Sequence, residues 1–203
     1  MEKLKVGTVI ISKQGEDSEN YRKFKEIVIE KKIKVLFVGE DNPDQPSKLQ
    51  IENNLYFDIL WPNNSKLISE NVLNNNSIVC NLHYKSFSML FTGDIEELAE
   101  NQILQEYKNN LQILNTTVLK VGHHGSKSSS IDSFVQAVKP EIALIGVGEN
   151  NKFGHPNEEV IKRFENIGCK IFRTDQMGEI ILNINGKGKI KIKKYLEENK
   201  LII

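Results

Sequence analysis

Residues 118–130 read V-L-K-V-G-H-H-G-S-K-S-S-S, and this stretch is the most informative part of the chain. Its first four residues form an apolar run, which predicts a short buried strand. The run ends at adjacent histidines, His123 and His124, which lie between Gly122 and Gly125. Flanking glycines let the backbone turn tightly, so the pattern indicates two imidazoles presented at the end of a strand. A polar loop whose histidines only cap the strand is the alternative.

Two further polar groups follow apolar runs in the same way. Asp94 comes directly after the run that ends in F-T-G, and His155 follows F-G in the sequence F-G-H-P. Because α/β folds place their sites at the carboxyl ends of neighbouring strands, we expect these residues to converge on one edge of a sheet. Oxygen and nitrogen ligands without a thiolate suit Zn²⁺, Mn²⁺ or iron, and a carboxylate with imidazoles suits a two-metal hydrolase. Asp94 also fits a helix N-cap, with Glu97 completing a capping-box-like pair.

The composition is that of a soluble globular protein. With 203 residues and 39% hydrophobic content, the chain predicts a single domain over residues 1–203. Lys+Arg and Asp+Glu balance at 27 each, so no global basic field indicates nucleic-acid binding, although a local patch would suffice. Cys80 and Cys169 lie in apolar runs, which favours core residues over a disulfide. No targeting signal opens the chain, and no apolar run approaches the ~20 residues of a membrane helix.

Periodicity predicts alternating strands and helices. A βαβ-like start comprises a strand at 6–11, a helix opened by Ser18 and a strand at 33–38. The remaining predicted strands lie at 56–60, 77–82, 88–91, 142–147 and 170–173, with a hairpin at 179–184 and 189–193. The remaining predicted helices are 94–107, a helix capped by Ser130 or Asp132 that ends at Lys139-Pro140, and a helix with Pro156 at its first position and Gly168 after its end. Residues 42–48 predict a loop, the asparagine-rich stretch 63–76 is irregular, and the tail 195–203 is not assigned.

Four motifs together resemble the metallo-β-lactamase-like domain of ComEC-type bacterial competence proteins. They are F-T-G-D-I-E-E-L-A-E, V-L-K-V-G-H-H-G-S-K-S-S-S, G-V-G-E-N-N-K-F-G-H-P and F-R-T-D-Q-M-G-E-I, in this order, and the asparagine run before S-I-V fits as well. The resemblance covers roughly residues 1 to 185. It implies an α+β fold of the αββα sandwich type and a metal-dependent nuclease or phosphodiesterase that degrades the non-transported DNA strand during uptake.

The resemblance also implies roles for individual residues. Asp94 matches the metal-bridging aspartate, His123 and His124 match the H-H-G-S pair, and His155 matches the G-H-P histidine. We therefore predict Asp94, His123 and His155 as ligands of a divalent metal, Mn²⁺ or Zn²⁺. His124 and Ser126 are the predicted catalytic residues.

One family motif is absent from this sequence. The family's first metal motif, His-x-(His/Asp)-x-Asp-His, cannot be formed from His83, His123, His124 and His155, which are the only histidines. The resemblance then implies the C-terminal two-thirds or so of the domain, a weakened or lost metal site, and an inactive or weak hydrolase. It further implies an uncovered apolar surface that promotes association. DNA is the implied substrate, and a membrane channel or the missing N-terminal half is the implied partner, with the domain facing the extracellular side in the family.

Three other functions are alternatives to the hydrolase. A non-catalytic remnant could bind DNA or a protein, with Lys120, Lys127 and Ser126 contacting phosphate. A serine hydrolase using Ser126 and His124 is disfavoured because the chain lacks a G-x-S-x-G elbow and a placed acid. A nucleotide-binding loop at 146–148 is disfavoured because Asn151 stands where the third glycine belongs.

The fourth histidine, His83, is interpreted as a half-exposed hairpin residue.

Overall fold

A computed structural model describes residues 4–13, 18–39, 47–63 and 67–196. The strands in these ranges are β1 (Thr8–Ser12), β2 (Lys34–Val38), β3 (Lys48–Glu52), β4 (Leu55–Trp61), β5 (Val79–Tyr84), β6 (Phe87–Phe91), β7 (Val118–Lys120), β8 (Ile142–Ile145), β9 (Lys170–Arg173), β10 (Ile180–Ile184) and β11 (Ile190–Lys194). The α-helices are α1 (Glu19–Glu30), α2 (Val72–Asn75), α3 (Glu97–Glu106), α4 (Asp132–Val138), α5 (Glu158–Asn166) and α6 (Thr174–Met177). The α+β class predicted from the sequence is confirmed.

The chain begins with the predicted βαβ unit. Strands β1 and β2 pair in parallel, with Thr8 opposite Lys34, and α1 connects them. Ser18 is the N-cap of α1, and its hydroxyl accepts a hydrogen bond from the Tyr21 backbone N–H at 3.2 Å. A capping hydroxyl satisfies one of the helix's unpaired N–H groups, which is why the helix begins here.

A mixed seven-stranded sheet in the order β3-β4-β5-β6-β7-β8-β9 forms the centre of the described fold. Strands β3 to β6 pair antiparallel, whereas β6 to β9 pair in parallel. Helix α3 connects β6 to β7, α4 connects β7 to β8, and α5 connects β8 to β9. The three strands that precede Asp94, the histidine pair and His155 are therefore neighbours, as predicted, and their carboxyl ends lie at the same edge.

The two faces of this sheet bury different sets of apolar side chains. On one face, Leu90, Leu119 and Ala143 belong to the main core, which they share with buried residues of α3, α4 and α5, among them Ile103, Phe134, Val138, Val160 and Phe164. On the other face, Val118 and its neighbours pack against the β10–β11 hairpin through Leu182, Ile184, Ile190 and Ile192. The alternation of side chains along each strand separates the two cores.

Helix α3 begins later than predicted, so the interpretation of Asp94 as its N-cap is wrong. The N-cap is Glu96, and the first helical residue is Glu97. The Glu97 N–H donates to the carbonyl of Ser128 at 2.7 Å. Because a distant loop satisfies this helix end, the Asp94 carboxylate is not needed as a cap and stays at the sheet edge.

Helices α4 and α5 also differ from prediction at their first residues. The N-cap of α4 is Ile131, not Ser130 or Asp132. The Glu100 carboxylate of α3 accepts hydrogen bonds from the N–H groups of Ser130 and Ile131 and so fixes the backbone just before the helix. The N-cap of α5 is Asn157, whose Oδ1 accepts the Glu159 N–H at 2.9 Å, so Pro156 lies before the helix. The predicted ends hold: Lys139 terminates α4, and Gly168 follows α5 with a φ of 72°.

Among the strands and α-helices of the described residues, three short elements were not predicted from the sequence, namely β3, α2 and α6. Most of the predicted loop at 42–48, part of the irregular stretch at 63–76 and most of the tail lie outside the described residues. Cys80 and Cys169 are free thiols, and Cys169 belongs to the main core. Within the described ranges, no helix is both long and apolar enough to cross a membrane.

Candidate functional site

The two adjacent histidines occupy an unusual backbone conformation. His123 and His124 have φ angles of 43° and 54°, in the left-handed region that side chains other than glycine rarely adopt. The turn is held by a hydrogen bond from the Ser126 N–H to the His123 carbonyl at 2.9 Å and by the Ser129 hydroxyl on the Gly122 carbonyl at 2.9 Å. Strain of this kind persists only where the surroundings enforce it, and it is concentrated at functional sites.

His124 faces Asp94. Its Nε2 lies 3.8 Å from Asp94 Oδ1, while its Nδ1 lies 2.6 Å from the Gly146 carbonyl oxygen. Since a carbonyl can only accept, this contact assigns the proton to Nδ1. In the neutral imidazole, the lone pair of Nε2 is then directed toward the carboxylate side, which is the state of a metal-binding histidine.

Lys120 approaches the same carboxylate oxygen of Asp94 as His124 does. Its Nζ is 3.7 Å from Asp94 Oδ1 and donates to the Gly93 carbonyl at 2.9 Å. Burial lowers the pKa of Lys120, and the charge of Asp94 opposes this shift. An imidazole and an ammonium group therefore both lie within 4 Å of Asp94 Oδ1, at 3.8 and 3.7 Å.

His123 turns toward a different carboxylate, Glu96. Its Nδ1 is 3.0 Å from Glu96 Oε1, but the oxygen lies out of line with the ring N–H, and Nδ1 is buried without a directed hydrogen bond to the described residues. Glu96 itself accepts from Asn71 Nδ2 at 2.7 Å and from the Ser128 hydroxyl at 3.0 Å. Burial alone would raise the pKa of Glu96, but these hydrogen bonds and the His123 charge together lower it.

The third imidazole completes a cluster. The ring of His155 lies 5.7 Å from that of His123, which lies 6.4 Å from that of His124. The pKa of His155 is lowered, first by burial and then by the positive charge on the other two histidines. The lowered pKa favours the neutral form of His155, which is the form of a histidine that binds metals.

The structure thus brings together Asp94, His123, His124 and His155 at the carboxyl ends of β6, β7 and β8. The Ser126 hydroxyl lies 3.0 Å from Ser128 Oγ, and Lys127 pairs with Glu159 at 3.0 Å. Sequence reasoning missed Glu96, which was interpreted as part of a helix start. The only available signal was its place two residues after Asp94.

The donor types suit a divalent metal, but the arrangement supplies only part of a coordination shell. Asp94 and His124 form one pair and Glu96 and His123 form another. Within the part of the chain that the structure describes, no group of three or more His, Cys, Asp or Glu side chains is arranged to hold a metal ion. The Nδ1 of His123 is nevertheless buried with no hydrogen bond to the described residues.

His83 lies away from this cluster. It belongs to β5, and its Nε2 is 3.2 Å from Asp58 Oδ2 of β4. Its side chain is part-buried, as the sequence predicts for a hairpin residue. Substitutions in the His83–Asp58 pair can therefore serve as controls for substitutions in the His124–Asp94 pair.

The fold and the site define a class: an α+β protein with a polar, histidine-rich site at the carboxyl edge of parallel strands.

Comparison with known proteins gives relatives but no family model, since no family model matches the chain. The chain is 36% identical over 132 residues to ComE operon protein 3 of Bacillus subtilis, covering 65% of this chain and 16% of the relative. It is 34% identical over 138 residues to competence protein ComA of Neisseria gonorrhoeae, covering 68% and 19%.

A third relative is recombination protein 2 of Haemophilus influenzae, 32% identical over 129 residues, which covers 64% of this chain and 15% of the relative. These matches show that the chain has homologues among bacterial competence proteins. It spans less than a fifth of their length, with shares of 15% to 19%.

Gly125 joins the histidine turn to the loop that carries His155, and its replacement by alanine is expected to destabilise the site. Gly125 has a φ of 78°, and an added Cβ would lie 2.7 Å from Pro156 Cβ. We expect Gly125→Ala to lower the free energy of unfolding by about 2 kcal/mol and to shift the NMR signals of the His124 and His155 rings. Gly148→Ala is the matched control, because nothing lies within 4 Å of its added Cβ. Equal stability of the two variants would contradict the prediction.

Proposed function

We propose that this chain is part of a metallo-β-lactamase-like αββα domain that hydrolyses phosphodiester bonds of DNA in competence-type uptake. The observation that carries the proposal is the convergence of Asp94 and three imidazoles on one sheet edge, with His124 Nε2 directed toward Asp94. The names of the relatives support the setting, since two of them are competence proteins by name or operon. Next to a membrane channel, the domain would face the extracellular side.

Asp94 and His124 are the residues that would hold a divalent cation, Mn²⁺ or Zn²⁺. When bound, such an ion would lower the pKa of a coordinated water and would offset the negative charge of the phosphate. The Gly146 carbonyl accepts from Nδ1 of His124, so in the neutral ring Nε2 is the nitrogen left free to bind a cation, and the Lys120 ammonium lies where it can balance phosphate charge. His123 and His155 remain proposed ligands.

The isolated chain is proposed to be a weak or inactive hydrolase. A pair of ligands binds a metal far less tightly than a complete shell, because each lost ligand removes binding free energy. Ser126, predicted as catalytic, is proposed to help shape the turn through its contact with Ser128.

Metal stoichiometry of the purified chain tests this function. We expect isothermal titration to show weak Mn²⁺ and Zn²⁺ binding that Asp94→Ala and His124→Ala each reduce about tenfold or more. Asp58→Ala and His83→Ala are the matched controls, because they remove a carboxylate–imidazole pair elsewhere on the sheet. Metal binding that is indifferent to Asp94 and His124 would contradict the proposal.

A non-catalytic DNA-binding role is the second candidate, favoured by the two-membered ligand pairs and by the cationic Lys120. It predicts binding that weakens steeply with salt and no metal-dependent cleavage of a labelled DNA strand. Metal-dependent cleavage that Asp94→Ala abolishes would exclude it.

A further inference from the structure

A large apolar side chain stands exposed beside the histidine cluster. Phe153 is 82% exposed, although a phenyl ring gains about 1.5–3 kcal/mol when it is buried. One face of the ring is offset-stacked on His155, with centroids 5.8 Å apart and planes inclined by 19°. The folded protein therefore holds an aromatic surface in water at the border of its polar site.

The loop that carries Phe153 is braced by Asn151. The Asn151 side chain donates to the Gly148 carbonyl at 3.2 Å and to the His155 carbonyl at 2.7 Å. Its Oδ1 accepts the His155 N–H at 2.9 Å. Since these three hydrogen bonds close the loop on itself, Phe153 is presented in a defined position, which lowers the entropic cost of binding a ligand.

A cavity of about 400 Å³ lies between this loop and His124. Its lining includes an aromatic ring, two imidazoles, an amide and the backbone of residues 146–148, with Val147 as the aliphatic residue: Phe153, His155, His124, Asn151, Gly146 and Gly148. This combination suits a flat, partly polar ring, which stacks on an aromatic face and forms hydrogen bonds at its edge. Lys152, beside Phe153 in the sequence, is exposed and adds positive charge.

We infer that Phe153, backed by His155, is a stacking platform for one base of a single-stranded nucleic acid whose neighbouring phosphate lies toward His124 and Asp94. A base inside a duplex is already stacked on its neighbours, so only an unpaired strand can use the platform. The inference rests on the proposed function and names its substrate as single-stranded.

Binding of an oligo(dT) of about 12 nucleotides, measured by fluorescence anisotropy in EDTA at low salt, tests the inference. We expect Phe153→Ala to weaken binding about tenfold or more and Phe153→Trp to retain it, with the new indole fluorescence quenched by the bound base. The native Trp61 is buried and adds a constant background. Ile29→Ala is the matched control, since it removes a 76% exposed apolar side chain on α1.

An abasic oligomer of the same length separates stacking from charge. We expect Phe153→Ala to leave its affinity unchanged, because only the phosphates remain to be bound. Equal oligo(dT) affinities of Phe153→Ala and Ile29→Ala, equal losses for the abasic oligomer, or no binding by the native chain would overturn the inference. The oligonucleotide assay contains no metal. If the chain binds no metal but still binds oligo(dT) through Phe153, the hydrolase function is excluded and the stacking platform is supported.

Discussion

Glu100→Ala is expected to lower the free energy of unfolding by about 3 kcal/mol, one of the two largest effects that we predict. The Glu100 side chain is 1% exposed, and its carboxylate accepts the N–H groups of Ser130 at 2.5 Å and Ile131 at 2.8 Å. Removing it leaves these donors at the start of α4 without their partner and opens a cavity in the core. Urea unfolding followed by circular dichroism measures the loss.

The exposed neighbour Glu97 on the same helix is the control, and Glu97→Ala is expected to change stability by less than about 0.5 kcal/mol. If Glu100→Ala unfolds at the same urea concentration as Glu97→Ala, the hydrogen bonds from Ser130 and Ile131 to Glu100 do not stabilise the fold.

Glu100 also makes stability depend on pH. Burial raises its pKa to about 7, although the N–H groups of Ile131 and Ser130 and the charge of Arg163 oppose the shift. The Glu100 carboxyl binds its proton more tightly in the folded state than in the unfolded state. Its contribution to the free energy of unfolding is therefore complete below the ordinary glutamate pKa and is lost as pH rises through about 7. The native chain should therefore lose about 2–3 kcal/mol relative to Glu100→Gln between about pH 5 and about pH 8. A constant difference between the two proteins would contradict this assignment.

Asn76→Ala is expected to cost about 3 kcal/mol as well. Asn76 is fully buried, and its Oδ1 accepts the Ile68 N–H at 2.9 Å. Its Nδ2 donates to the carbonyls of Ile68 and Val72, both at 2.8 Å. Alanine would leave three backbone groups inside the protein without these partners.

Thermal unfolding of Asn76→Ala and of the exposed control Asn150→Ala measures this cost. We expect Asn150→Ala to unfold like the native chain and Asn76→Ala to unfold several degrees lower. The neighbouring Asn75 accepts the Glu96 N–H through Oδ1 at 3.1 Å, so the asparagine segment also supports the residue beside His123. Equal melting temperatures would show that the buried amide is dispensable.

The sequence predicted elements whose pattern is local. Ser18 marked the start of α1, and the β-branched and apolar runs marked β1, β7 and β8, because capping groups and side-chain periodicity act within a few residues. The meeting of Asp94 with the histidines was predicted for the same reason: each follows a strand, and parallel neighbours end at one edge. The seven-stranded order itself, and the short strand β3, were not predicted.

By itself, then, the sequence determined that Asp94 and the three histidines gather at one edge of the sheet, but it did not indicate Glu96. The tertiary structure decided their contacts: His124 turns to Asp94 because the carbonyl of Gly146 holds its other ring nitrogen, and His123 turns to Glu96. In the tertiary structure, the carboxylate of Glu100 also accepts hydrogen bonds from the residues just before α4, and Asn75 and Asn76 of the asparagine-rich stretch are buried. These outcomes depend on hydrogen bonds between residues far apart along the chain, and a local pattern of residue types contains no information about them.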